Sequence, residues 1–176
     1  RRWLEAAVVG LGLCPFAKPV LDAGRLHLTV SAARDEDAAL ADLQTELQAL
    51  ADLPASTRDT TLLVLPHLWP DFLDFNQFLD ATDALLEALE LDGIFQIAPF
   101  HPGFVFAGEP EDDMSHCTNR SPYPTLHLLR EDSLAEAIES YAARRGDTDR
   151  IYEQNIRHLR GLGVAGWQTL FSHPKV

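Results

Sequence analysis

The amino-acid sequence predicts an α/β domain, a mostly parallel or mixed sheet of four to five strands with helices packed on it. Three observations carry this. The 176 residues suffice for one domain with a sizeable core and are short for two. Apolar residues recur at helical spacing in long segments that alternate with short β-rich runs. The connections between the first three of those runs are long enough to return the chain for parallel pairing. A two-layer ferredoxin-like α+β sandwich is the alternative. No repeat, low-complexity tract or Gly/Ser linker divides the chain, so residues 1–176 read as a single domain.

Residues 2–12 predict an amphipathic helix, with Trp3, Leu4, Ala7, Val8 and Leu11 at helical spacing and Gly12 near its end. Residues 25–31 alternate and carry β-branched side chains, which predicts a strand. Residues 35–52 predict a helix, because Leu40, Leu43, Leu47 and Leu50 share a face and Asp35, Glu36 and Asp37 sit where the dipole favours anions. The next strand runs from Thr60 to Leu65 and stops at Pro66. From about Asp71 to Leu91, a stripe from Phe72 to Leu89 marks a long helix, with Thr82 its one polar position and Gly93 its end. Ile94 to Phe100 is a third strand, Phe104-Val105-Phe106 a shorter extended piece and residues 108–123 a loop. Pro124 to Arg130 is the fourth strand. Ser133-Leu134-Ala135-Glu136 has the pattern of a capping box that opens a helix, and helices near 148–160 and 164–171 close the chain.

Charge narrows the partners. Fourteen Lys and Arg against 27 Asp and Glu leave a net charge of −13, which disfavours nucleic acid and anionic membrane surfaces. No apolar run approaches the roughly 18 residues of a membrane span, and Glu5 interrupts the one stretch that imitates a signal peptide. Two cysteines, Cys14 and Cys117, fit a compartment that keeps thiols reduced, so the expected location is cytoplasmic. The expected partner is a small-molecule anion, and homo-oligomerisation stays open.

In open parallel sheets, ligands bind beyond the carboxyl ends of the strands. That rule collects Arg34, His67, His101, and Arg130 with Glu131, on one edge if all four strands are parallel. Cys14 precedes Pro15 at an expected helix start, where the dipole and Lys18 would lower the thiol pKa. The competing reading of Cys14 is a small buried side chain beside Phe16. Between His101 and Arg130 lies the densest polar segment. Pro122 and Pro124 stiffen it, and Asn119, Arg120, Ser121 and Tyr123 suit an anion; the competing reading pairs Arg120 with Asp112 or Asp113. Alternation along the fourth strand sends Leu126 and Leu128 to one face and His127 to the other, where the ring needs a partner such as Asp112, Asp113 or Tyr123. His101, Asp112, Asp113, His116, Cys117 and His127 could also supply a metal site, though no ligand spacing fixes them. Nucleotide-binding and hydrolase fingerprints are absent, and no cofactor is identified.

The stretches WLEAAVVGLGLCPFAKPV, FHPGFVFAG, TNRSPYPTLHLLRE and IYEQNI resemble an uncharacterised bacterial family, domain of unknown function 1415, over nearly the whole chain. The resemblance implies no activity or cofactor. It shifts weight toward Cys14, His101 and the segment from Asn119 to Glu131, and away from His67. The resulting expectation is an enzyme acting on a carboxylate or phosphate small molecule. His101, Cys14 and His127 would be its catalytic groups, with Arg34, Asn119, Arg120, Ser121, Tyr123, Arg130 and Glu131 on the substrate. The alternatives are a non-catalytic binding or assembly module and a His/carboxylate metal-binding protein.

Overall fold

The apolar stripes form helices where their spacing places them. In the computed structural model, which describes residues 1–145 and 149–170, α2 spans Glu36–Asp52 and α3 spans Phe72–Ala88. Each opens on an Asp cap. The Asp35 carboxylate accepts the Ala38 N–H at 2.8 Å, and the Asp71 carboxylate accepts the Leu73 N–H at 2.8 Å. Ala39, Leu43, Leu47 and Leu50 of α2 meet Phe75, Phe78 and Leu86 of α3 over one face of the sheet. Thr82 is tolerated in that stripe because its hydroxyl donates to the Leu79 carbonyl at 2.8 Å.

The sheet is mixed and has four strands: β1 (Leu26–Val30), β2 (Thr60–Val64), β3 (Phe95–Phe100) and β4 (Thr125–Arg130), in the order β1-β2-β4-β3. β1 and β2 are parallel, whereas β4 runs antiparallel to both β2 and β3. The mixed sheet agrees with the fold class expected, but the condition for a single-edge site, four parallel strands, is not met. The helix α3 carries the chain from β2 past a vacant position to β3. The segment 101–124 then stays at the end of the sheet where β3 finishes, since Phe100 pairs with Thr125, and β4 returns through the gap. Pro99 lies on β3 at the sheet edge, where a strand tolerates a missing N–H. Leu126 and Leu128 face α2 and α3, and His127 faces the other side, as the alternation predicts.

That other side is covered by a π-helical segment (Leu4–Val9), the short helix α1 (Ala17–Asp22) and α4 (Glu131–Arg145). α4 starts two residues before the predicted capping box, because the Glu131 N–H pairs with the Ile94 carbonyl at 3.0 Å and turns β4 directly into a helix. α5 (Asp149–Thr169) breaks at Gly163, whose φ of 65° suits glycine, so it forms two helical pieces much as predicted. Residues 148 and 171 of that prediction lie outside the described residues. α5 ties distant segments together. Its Asn155 donates to the Leu13 carbonyl at 2.7 Å, and its Arg160 binds Asp113 at 2.7 Å. The piece at Phe104–Phe106 is not a strand; its rings pack edge to face at 4.9 Å within the loop.

Candidate functional site

The edge at the carboxyl ends of β1, β2 and β3 holds Arg34, His67 and His101, but the three differ in kind. Arg34 and His67 are exposed. His101 is buried with both ring nitrogens engaged: Nε2 lies 2.9 Å from the Trp69 carbonyl and Nδ1 accepts the Gly103 N–H at 3.0 Å. One tautomer, with the proton on Nε2, satisfies both contacts. The ring also stacks on Phe75 at 5.3 Å. Trp69 has a φ of 49°, a strained value for a bulky residue, so the bond from His101 holds a costly backbone conformation in place. This histidine fixes loops.

Arg130 and Glu131 lie at the opposite end of the sheet, because β4 is antiparallel and Arg130 pairs with the first residue of β3. The Arg130 guanidinium donates to the carbonyls of Leu50, Leu53 and Arg58, and so caps the C-terminus of α2. Glu131 is half-buried at the first turn of α4. The segment before β4 is likewise bound to the framework. The His101 N–H donates to the Asn119 carbonyl at 3.1 Å, which ties the two backbones together. The Asn119 amide reaches the Pro99 carbonyl at 3.2 Å, and Arg120 Nε the Phe104 carbonyl at 3.2 Å. Ser121 donates to the Tyr123 carbonyl at 2.6 Å, while the Tyr123 ring is exposed. The indole N–H of Trp3 closes the segment on the Arg120 carbonyl at 2.9 Å. Asp113 pairs with Arg160, not with Arg120, and this contact holds its carboxyl down at about 2.

Cys14 and His127 meet elsewhere. Between the second face of the sheet, the N-terminal segments and α4 lies a cavity of about 580 Å³ whose lining includes both residues. Leu62, His127 and Ala98 are register partners across β2, β4 and β3, so they form one row of its floor. Small Ala98 beside the imidazole leaves room above the ring. Phe100 tilts over the other side at 6.1 Å. His127 Nε2 is buried without a hydrogen-bond partner, which corrects the expectation of a bond to Asp112, Asp113 or Tyr123. Burial pushes the His127 pKa down to about 4, leaving the ring neutral at neutral pH.

Cys14 is half-buried on the wall, and helix α1 begins only at Ala17, so Pro15 is not its first residue. Burial pushes the thiol pKa up, against a smaller opposing effect of the Phe16 and Ala17 amides. Lys18 does not lower it, because its ammonium pairs with Asp22 at 2.7 Å. Cys117 is buried, also with a raised pKa, beside the Arg120 guanidinium. Among the described residues no three His, Cys, Asp or Glu gather to hold a metal ion. His116 binds the Phe106 N–H and the Pro110 carbonyl, as His101 binds its own loop. No helix among the described residues is long and apolar enough to cross a membrane.

Sequence reasoning missed Asp59, Arg25 and Arg144, which also border the cavity. Asp59 is buried with Oδ2 on Arg25 at 3.0 Å and Oδ1 unpartnered. A charged residue directly before a strand as apolar as β2 was the available signal for it. Arg144 gave a weaker one, its helical spacing from Ser133, Ala137 and Ser140. Set against curated proteins and solved structures, the chain matches none. The model of one family matches residues 1–169, and by that match the chain belongs to the family described as a protein of unknown function (DUF1415).

Proposed function

We propose that this protein captures a small, largely apolar molecule in the sheet-face cavity, with Cys14 and His127 as the reactive groups on its wall. The cavity carries the reading. Its volume of about 580 Å³ falls among ligand pockets, which span roughly 300–1,000 Å³, whereas close-packed interiors leave few voids larger than a water. The floor row of Leu62, His127 and Ala98 offers one polar group in apolar surroundings, the usual balance of a small-molecule site. Catalysis through the thiol is a second reading, favoured by Cys14 and His127 bordering the same space. This reading ranks second because the thiol pKa is raised and the imidazole pKa lowered, so proton transfer from Cys14 to His127 is uphill. Two free cysteines support cytoplasmic residence in a bacterial cell as part of this proposal.

The test is fluorescence titration with N-phenyl-1-naphthylamine, a neutral apolar probe. Saturable enhancement is expected, together with slower alkylation of Cys14 when probe is present, read in a Cys117→Ser background. Ala98→Phe and Ala137→Phe fill the space from the floor and from α4, and each should weaken probe binding at least tenfold in a folded protein. A wild-type protein that binds no probe, or a folded Ala98→Phe that binds it unchanged, overturns the proposal.

A further inference from the structure

The polar end of the ligand follows from the three arginines that border the cavity, Arg25, Arg130 and Arg144. Arg25 is neutralised by Asp59 at 3.0 Å, and Arg130 is committed to the carbonyls at the end of α2. Arg144 differs. Its Nε donates to the Ser140 carbonyl at 2.9 Å and its Nη2 to the Ser140 hydroxyl at 3.0 Å, both neutral acceptors within its own helix. No carboxylate among the described residues pairs with it. Of the two rim arginines that lack a carboxylate among the described residues, Arg130 spends its guanidinium on three backbone carbonyls, whereas Arg144 is exposed.

Ser133, Ala137, Ser140 and Arg144 follow one another at helical spacing, and all border the cavity. Arg144 therefore stands at the C-terminal end of the α4 face that closes the space, next to Tyr141, whose ring packs edge-on against Phe16 at 5.9 Å. Glu136, the acidic residue of α4 on the cavity, is eight residues earlier, about 12 Å along the helix axis. A guanidinium has five N–H donors, so Arg144 keeps donors beyond the two engaged with Ser140.

Resting on the cavity reading above, we infer that the ligand is an amphipathic monocarboxylate of the medium-chain acid class. Its hydrocarbon body fills the apolar space over the Leu62–His127–Ala98 row, and its carboxylate meets Arg144 at the mouth. The Arg144 fork matches a carboxylate, and a bond between two charged groups is stronger than the contact a neutral hydroxyl would make there.

The experiment displaces bound N-phenyl-1-naphthylamine with decanoate, 1-decanol or decylamine. Decanoate is expected to displace the probe at roughly one-tenth the concentration of decanol, with decylamine weakest. In Arg144→Gln, an exposed position where folding is not at stake, decanoate should weaken about tenfold and decanol stay unchanged; Arg144→Lys should recover part of the loss. Equal displacement by decanoate and decanol in the wild type overturns the inference, as does an Arg144→Gln that weakens both alike. A wild-type protein that binds no probe removes the cavity reading and this inference together, whereas probe binding without a carboxylate preference removes this inference alone.

Discussion

His127 is a neutral ring in mid-strand, and its burial couples it to the stability of the fold. Its pKa in the folded protein, about 4, lies below the ordinary value of 6.5. As pH falls below about 6.5 the unfolded chain takes up the proton first, so stability is full above that pH and drains away as pH drops toward 4. The difference corresponds to a loss on the order of 3 kcal/mol. His127→Leu should remove this dependence, and at pH 7.5 it should add about 1–3 kcal/mol by eliminating an unpartnered buried nitrogen. Urea denaturation at pH 7.5 and 4.5 checks both; a variant with the wild-type pH drop rejects the account. His101 shows why such roles resist reading from sequence. A histidine just past a strand looks like a strand-end ligand, yet its ring contacts the Gly103 N–H next door and, far off in sequence, the Trp69 carbonyl and the rings of Phe72 and Phe75.

At the scale of elements, legibility follows locality. The stripes of α2 and α3 and their Asp caps are set within one or two helical turns, and the sequence contains all that decides them. The direction of β4 is not local. It depends on whether residues 101–124 cross the sheet or stay at one end, and hydrogen bonds such as Asn119 to Pro99 keep them at one end. That single reversal moves Arg130 from the expected site to the end of α2. Arg130→Ala should therefore cost about 1–3 kcal/mol through three lost carbonyl partners, with faster amide exchange confined to the last turn of α2 and residues 53–58. Arg130→Lys should restore only part, since an ammonium lacks the fork that reaches several carbonyls. An Arg130→Ala protein with unchanged stability and exchange would contradict the capping role.

For the molecule as a whole, a net charge of −13 sets a repulsive background. The surface ion pairs Arg1–Glu5 and Lys18–Asp22 are exposed i,i+4 contacts that offset little of it. Screening should thus stabilise the fold: raising NaCl from about 20 to 300 mM shortens the Debye length to well under 10 Å, and Tm should rise by several degrees. A Tm that falls with salt would show that attractive pairs dominate. The cavity is equally a property of the whole. Its floor row joins Leu62, Ala98 and His127 from three strands, and its walls come from the N-terminal segments and α4, so no contiguous stretch of sequence displays it.

The late strand also has a consequence for the order of assembly. β4 fills the place between β2 and β3, so until residues 125–130 have left the ribosome, those two strands have no common neighbour. A nascent chain can form α2, α3 and the β1–β2 pair early, but it exposes the inner edge of β2 until β4 has emerged. The pairing of Thr60 with Leu129 spans 69 positions, a long loop to close, and long-range pairing of this kind slows folding. An open edge of Thr-Thr-Leu-Leu-Val is the type of segment that templates association between chains. The strand that completes the sheet is thereby also the one that ends the exposure of the growing chain to its neighbours.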